Sequence, residues 1–220
     1  MEYPDLSIYE YMPSIIPMIN VGWLGREHGI PQHAEHPMLA EAIPLLEGRN
    51  SRVSRITLGW HDCEFCEAAT SIEGNGEFIY YARNGSTYCA PVMLIHYMES
   101  HGYCPPAEFI DAILDEGDLD WDSRAETLNA AIRSESEDFE ARCEAIIDIA
   151  NWPDVRSVEA LLHAARDEEL VDISGEDIGR SLKDVFRGLN SERGDSVVAG
   201  LPARVKDGYE GVLDGFRYLR

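Results

Sequence analysis

The spacing of apolar positions predicts a β-hairpin in the first half of the chain. Residues 77–83 and 86–90 are rich in aromatic and β-branched side chains and flank Asn84-Gly85. An Asn-Gly pair between two such runs is a strong hairpin signal, because both residues tolerate a positive φ. The run 51–60 alternates apolar and polar side chains, which predicts a strand leading into Cys63.

Helical spacing surrounds this hairpin and dominates the second half. In the first half we predict helices at 37–47, 91–100 and 107–114. In the second half we predict helices at 139–150, 155–165, 175–189 and 196–209, with Asp154 as an N-cap and with Gly200 and Pro202 interrupting the last.

The second half also shows weak internal self-similarity. Residues 140–142 align with 178–180, and residues 157–162 align with 196–201. A period near 39 residues made of two helices is typical of HEAT-like repeats. We therefore predict the α+β class, with an α+β module at about 1–112 that carries a Cys/His site and a hairpin, followed by an all-α HEAT-like module at about 113–220.

Composition shows a globular but strongly acidic protein. Apolar residues make up 45% and charged residues 27% of the chain, and the net charge is −23. Acidic residues outnumber basic ones 13 to 5 up to residue 104 and 28 to 13 beyond it. Direct nucleic-acid binding and docking on anionic membranes are excluded on this basis, because both depend on surface Lys and Arg. A high-salt cytoplasm, a basic partner protein and simple solubility remain alternative explanations of the acidity.

The sequence further predicts a cytoplasmic protein. Its first residues lack the basic and apolar regions of a signal peptide, and its apolar runs are too short and interrupted to span a bilayer. Five cysteines in such a chain do not suggest a disulfide framework.

The most specific chemical feature is the Cys63-x-x-Cys66 pair. Two thiolates at this spacing can bind one tetrahedral metal ion from a tight turn and leave two positions for other ligands. The candidates for those positions are His61, Cys89, His96, His101 and Cys104. The order of turn, hairpin and helix resembles a treble-clef zinc finger, although His96 lies further into the helix than that pattern requires.

Two completions of the site are chemically reasonable. His101 and Cys104 repeat the x-x spacing and would give three cysteines and one histidine. His96 and His101 would give two of each, although five residues on a helix turn through about 500° and leave the side chains roughly 140° apart. Gly102 relaxes this objection, because it places His101 at a helix end.

Other interpretations of the cysteine pair remain open. It can be a redox pair, two packed thiols or the centre of a metal-dependent enzyme. The acidic neighbours Asp62, Glu64 and Glu67 disfavour a reactive thiolate. The motifs of zinc deaminases, zinc proteases, serine hydrolases and phosphate loops are missing, so an enzyme is the less favoured class.

Several short motifs together resemble a family of uncharacterised bacterial proteins. They are Val21-Gly-Trp-Leu24, His61-x-Cys63-x-x-Cys66, Tyr88-Cys-Ala-Pro91, His96-Tyr97, His101-Gly-Tyr103 and Pro105-Pro-Ala-Glu-Phe109. The family shares Y-x-A-P, H-Y-x₃-H-x-Y and P-P-x-E-F over about residues 3–115, with no known reaction. The resemblance implies histidines at 96 and 101 and no fixed cysteine at 104, and therefore a ligand set of Cys63, Cys66, His96 and His101.

These features lead to one functional hypothesis with two alternatives. The leading one is a non-enzymatic, acidic, cytoplasmic protein-binding factor (an adaptor, inhibitor or immunity-type protein) with a structural zinc site and a basic protein partner. The alternatives are a metal-dependent enzyme centred on Cys63 and Cys66, and a nucleic-acid-mimicking inhibitor of a basic partner.

Overall fold

The chain folds into two compact units of different character. The computed structural model describes residues 2–49, 55–56, 59–67 and 72–211. The first unit runs up to Gly117 and the second begins at Asp118. The first combines short strands with helices, and the second is all-helical over its described residues. The predicted α+β class is confirmed, whereas the predicted boundary at 112/113 falls inside the last helix of the first unit.

A three-stranded sheet forms the centre of the first unit. Its strands are β1 (Ile19–Asn20), β4 (Glu77–Tyr81) and β5 (Thr87–Pro91), in the order β1-β5-β4. β1 runs parallel to β5, and β4 runs antiparallel to it. A separate two-stranded ladder pairs β2 (His61–Asp62) with β3 (Glu73–Gly74).

The predicted hairpin is the β4–β5 pair, but its turn differs in detail from expectation. Gly85 has a φ of 92°, whereas Asn84 does not adopt a positive φ. The N–H of Gly85 donates to the carbonyl of Ala82, and the N–H of Ala82 to the carbonyl of Ser86. The Asn84 side chain accepts from the N–H of Ser86 at 2.9 Å. The turn is therefore a longer loop in which only glycine occupies the left-handed region.

Most of the strand predicted at 51–60 lies outside the described residues. Of its described part, Arg55 forms an antiparallel bridge with Glu77. Glu77 is fully buried at the start of β4, where both carboxylate oxygens accept from the Tyr9 hydroxyl at 2.8 Å. Arg55 Nη1 lies 3.4 Å from the same carboxylate. Burial nevertheless dominates and raises the pKa of Glu77.

Three helices cover the sheet of the first unit. They are α1 (Leu39–Arg49), α2 (Leu94–His101) and α3 (Ala107–Leu114). Buried residues of α2 and α3, including Leu94, Tyr97, Phe109 and Ile110, join the side chains of β4 and β5 in one core. The helix predicted at 107–114 is confirmed, and α1 and α2 each begin two or three residues later than predicted.

A buried carboxylate ties the first residues of the chain to the segment after α2. Asp5 accepts a hydrogen bond from the backbone N–H of Gly22 at 2.8 Å and from the Tyr103 hydroxyl at 2.9 Å. Its second oxygen lies 2.8 Å from His33 Nε2. These bonds link three distant segments around the end of α2.

Six helices make up the described part of the second unit. They are α4 (Ser123–Arg133), α5 (Phe139–Asp148), α6 (Val155–Ala164), α7 (Glu168–Gly188), α8 (Gly194–Val198) and α9 (Ala203–Glu210), with a 3₁₀ turn at Ile149–Asn151 after α5. Aspartates cap four of them through side-chain bonds to backbone N–H groups: Asp122, Asp138, Asp154 and Asp167. The predicted N-cap role of Asp154 is confirmed.

Two helical segments of this unit were not predicted. Helix α7 has two parts that meet at a kink at Ser174: the part from Gly175 to Gly188 corresponds to the helix predicted at 175–189, whereas the part before the kink, which Asp167 caps, was not predicted. The helix predicted at 196–209 is divided into α8 and α9 around Gly200 and Pro202, where the sequence had indicated an interruption. Helix α4 was missed, since polar residues occupy much of its surface.

Each helix of this unit packs against at least one of the others. α4 contacts α5 and α6, and α7 contacts α5, α6 and α9. The α7–α9 contact is especially close at two glycines. A Cβ added at Gly179 would lie 2.0 Å from the Val205 carbonyl oxygen, and one added at Gly208 would lie 2.0 Å from that of Glu176. Side chains at these positions would separate the two backbones.

Candidate metal centre

The two cysteines lie on a turn that leaves β2. Cys63 directly follows the strand, and its N–H donates to the carbonyl of Ile72 at 2.7 Å. The N–H groups of Phe65 and Cys66 donate to the Cys63 sulfur, an arrangement that favours thiolate. Cys63 is buried and Cys66 is half-buried. The turn therefore presents both sulfurs on one side.

A contact from a neighbouring loop secures this turn. The N–H of Arg26 donates to the Glu64 carboxylate at 2.7 Å, and Arg26 Nε donates to the carbonyl of Glu64 at 2.7 Å. Phe65 packs edge-to-face on Tyr97 of α2, with ring centroids 6.0 Å apart. Sequence reasoning missed these supports, since the partners lie far apart along the chain.

The two histidines come from α2, which ends at His101. Gly102 follows in the left-handed conformation, with φ 66° and ψ 24°, and its N–H donates to the carbonyl of Tyr97. His101 thus occupies the last position of the helix, as the sequence predicted, and its ring lies edge-on to that of His96, with centroids 4.9 Å apart. The termination at Gly102 allows both rings to face the cysteine turn.

The four side chains converge on one point. His101 Nε2 lies 3.3 Å from Cys63 Sγ, 3.4 Å from Cys66 Sγ and 3.2 Å from His96 Nε2. Cys66 Sγ lies 3.4 Å from His96 Nε2. All four donor atoms lie within 4.8 Å of one another, so this group can hold a metal ion. The structure brings together the four predicted residues Cys63, Cys66, His96 and His101.

Burial shifts the pKa values of two of the four side chains, Cys63 and His96. It raises the pKa of the Cys63 thiol, against the opposing effect of the N–H bonds from Phe65 and Cys66. Burial, reinforced by His101, lowers the pKa of His96. A neutral imidazole has the free lone pair that a metal requires, whereas a protonated thiol must release its proton on binding.

The other sequence candidates do not belong to this cluster. Cys89 is fully buried in β5, and Cys104 Sγ points to the carbonyl of Gly102 at 3.8 Å. His61 is exposed on β2. The described geometry therefore brings neither Cys104 nor His61 to the point where the four donors meet.

A second group of potential ligands, Glu2, Glu27 and His28, lies near the start of the chain. The Glu2 carboxylate already accepts the backbone N–H groups of Glu27 and His28, at 2.8 and 2.9 Å, and lies 2.8 Å from His28 Nδ1. These hydrogen bonds give the group a structural role, because they hold the first residues of the chain against the segment at Glu27 and His28.

A cavity of about 320 Å³ lies beside the cysteine turn. Asp62 and Glu64, which flank Cys63, contribute to its wall, as does Tyr97 of α2. None of the four clustered cysteines and histidines is among the described residues that line it. The cluster and the cavity are thus neighbours that share a turn, but the donor atoms do not open into the cavity.

The fold and the site together define a class: a small α+β module with a Cys/His group able to hold a metal ion, joined to a helical unit. The chain belongs to the family described as a domain of unknown function, DUF7919, whose model matches residues 1–114. This agrees with the expectation of an uncharacterised family over the first half. No curated protein and no solved structure matches the chain. None of the helices in the described ranges has the length and apolarity needed to cross a membrane.

Proposed function

We propose that Cys63, Cys66, His96 and His101 bind a structural Zn²⁺ ion, and that the protein is an acidic, cytoplasmic, non-enzymatic factor that binds a basic protein. The convergence of the four donor atoms carries the metal part of this proposal. The helical unit and the net charge support the binding part.

The distances between donors support zinc. With Zn–S near 2.3 Å and Zn–N near 2.0–2.1 Å, a regular tetrahedron places sulfur and nitrogen about 3.6 Å apart and two nitrogens about 3.3 Å apart. Three of the four sulfur–nitrogen separations in the protein are 3.3–3.4 Å, and the two nitrogens lie 3.2 Å apart. All remaining donor separations are within 4.8 Å. Two thiolates and two imidazoles are also a donor set typical of zinc.

A structural role fits this ligand number better than a catalytic one. Catalytic zinc keeps a position for water or substrate beside three protein ligands. Here four side chains from two elements are available, and none faces the adjacent cavity. Bound zinc would cross-link the turn after β2 to the end of α2. The three-stranded sheet of the first unit does not connect these two segments.

The helical unit supports a protein-binding role. Its contacts, α4 with α5 and α6 and α7 with α5, α6 and α9, follow the order of stacked helical hairpins. The sequence similarities relate α5 to the later part of α7, and α6 to α8, which are equivalent positions in such a stack. HEAT-like stacks offer extended surfaces to other proteins, and a net charge of −23 attracts basic ones.

Elemental analysis of the purified protein tests the zinc site. We expect about one zinc per chain, retained after dialysis and lost from the Cys63→Ser and His101→Ala variants. Cys104→Ser is the matched control and should retain the metal. Because a variant can fail to fold, Co²⁺ substitution of the wild-type chain provides a second readout, with the intense visible absorption of a tetrahedral thiolate site. Metal-free wild-type protein, or equal metal in Cys63→Ser, would refute the assignment.

Chelation provides an energetic test of the same site. Structural zinc in small domains contributes roughly 10–16 kcal/mol of apparent binding energy at neutral pH. Chelation should therefore unfold or strongly destabilise the first unit, as followed by hydrogen exchange of the α2 amides. Unchanged protection of α2 after complete metal removal would contradict a structural role.

Affinity capture with a salt gradient tests the binding part. The partner should have a basic surface and should dissociate as salt screens the acidic field. Failure to retain any partner at low salt, or retention of an acidic partner that is insensitive to salt, would contradict the proposal.

A further inference from the structure

The cavity beside the cysteine turn has aromatic walls. Trp23, Trp60 and Tyr97 line it, together with Met93. The Trp23 indole N–H donates to the Cys89 carbonyl at 3.1 Å, which fixes the plane of that ring. Tyr97 is buried and its hydroxyl lies 3.8 Å from Met93 Sδ, so this part of the wall is also held in place.

Acidic groups border the same cavity. Asp62 and Glu64 line it and are exposed, with the Cys63 turn between them. The described residues that line the cavity include no Lys or Arg, and His61 is the only histidine among them. The nearby Arg26 guanidinium donates to the Glu64 backbone carbonyl, not to its carboxylate. The described part of the lining therefore combines aromatic rings with two carboxylates at the rim.

We propose that this cavity binds the cationic side chain, guanidinium or ammonium, of an arginine or lysine on the basic partner. The proposal rests on the proposed function, since that function supplies the partner. Organic cations are attracted to the faces of tryptophan and tyrosine, most strongly where water is partly excluded. Carboxylates at the rim add a charge-assisted hydrogen-bonding site for the cationic head. A volume of about 320 Å³ accommodates a long basic side chain and leaves room for water.

The position of the acidic groups links this cavity to the metal centre. Asp62 and Glu64 belong to the segment that carries Cys63, so an ion bound to Cys63 and Cys66 would hold the rim in a single conformation. Tyr97 of the aromatic wall lies on α2, the helix that carries His96 and His101. Removal of the metal should therefore abolish or strongly weaken binding of the cation.

Capped amino acids provide a direct test with the full chain. N-acetyl-L-arginine amide and N-acetyl-L-lysine amide are titrated while the tryptophan indole N–H signals are followed by NMR, and N-acetyl-L-citrulline amide is the neutral control. We expect saturable shifts of the Trp23 and Trp60 signals at concentrations on the order of millimolar, with citrulline inactive over the same range. Comparison of the arginine and lysine compounds identifies which cation is preferred.

Charge-neutral variants locate the binding. The isosteric double variant Asp62→Asn/Glu64→Gln should bind about tenfold more weakly. The matched control Glu41→Gln/Glu47→Gln removes the same charge from exposed positions on α1, outside the cavity, and should bind within about twofold of wild type. Equal binding of citrulline, or equal affinity in the two double variants, would overturn the proposal.

Zinc content measured in the same samples separates the two proposals. Metal-loaded protein that binds no cation refutes only the cavity assignment. Wild-type protein that contains no zinc as purified and still binds arginine refutes the zinc assignment but not the cavity assignment.

Discussion

The close approach of α7 and α9 makes Gly179 a sensitive test of the helical unit. A Cβ at this position would lie 2.0 Å from the Val205 carbonyl oxygen and 2.5 Å from the Tyr209 backbone nitrogen, whereas real Cβ contacts are essentially never below 3.0 Å. Both neighbours are backbone atoms, so no side-chain rotation can relieve the clash. Gly179→Ala therefore requires the two helices to separate by about 1 Å at this point.

The expected cost follows from the packing that this separation disturbs. Ile178, Leu182 and Val205 are fully buried, and a gap of about 0.5–1 Å forfeits roughly a quarter to a half of the dispersion energy of each contact. We take the upper part of the overpacking range, about 3 kcal/mol. Alanine in a helix returns about 1 kcal/mol relative to glycine. The net loss in unfolding free energy is about 2 kcal/mol. For the helical unit, which has about 100 residues, unfolding by itself, this loss lowers Tm by roughly 8–16 °C.

Thermal unfolding of the full chain, followed by circular dichroism, measures this loss, and hydrogen exchange assigns it to α7 and α9. Gly200→Ala is the matched control in the same unit. No atom lies within 4 Å of an added Cβ there, so it should stabilise the protein by about 0.4–1 kcal/mol. If Gly179→Ala unfolds at or above the wild-type temperature while the control behaves as expected, the close backbone contact is refuted.

Two further predictions concern carboxylates, one buried (Glu77) and one half-buried (Asp167). Burial raises the pKa of Glu77 above the ordinary value of 4.5, so the folded state binds the proton more tightly than the unfolded state, and the stability from this carboxyl is lost as the pH rises through its folded pKa. The unfolding free energy of wild type minus that of Glu77→Gln, measured by urea titration at several pH values, should therefore fall as the pH rises above about 4.5, and a rising difference would contradict the sign. Asp167 caps α7 through the N–H groups of Glu169 and Leu170 and pairs with buried Arg142 at 2.9 Å; Asp167→Ala should cost about 2–3 kcal/mol and Asp167→Asn, which retains the cap, about 1 kcal/mol. Equal losses in the two variants, measured by the same titration, would show that the ion pair contributes nothing beyond the cap.

Local signals in the sequence were sufficient to predict secondary structure where the residues of one segment determine its conformation. The Asn84-Gly85 pair marked the hairpin, and the apolar spacing of 107–114 marked α3. Gly200 and Pro202 likewise indicated the break between α8 and α9, whereas the part of α7 before Ser174 was not recognised from the spacing. The short strand β1 was missed because its two residues form a strand only through pairing with β5.

Most of the candidate site was predictable, because cysteine and histidine are typical metal ligands and two of them stand at a typical ligand spacing. The Cys-x-x-Cys spacing and the helix end at Gly102 together indicated Cys63, Cys66 and His101, while His96 required the family resemblance to choose among alternatives. The aromatic cavity was not predictable, since Trp23 and Tyr97 lie more than seventy residues apart along the chain. Only the folded arrangement places their rings around the acidic turn.

The termination of α2 at Gly102 has a practical consequence. The residue that closes the helix and the donor that completes the four-residue group are adjacent, so the length of this helix and the geometry around a bound ion cannot vary independently. Fraying or extension of the helix by a single position would rotate the His101 ring away from the sulfurs. The spectrum of a spectroscopically visible ion bound here would therefore report conformational changes at the end of α2.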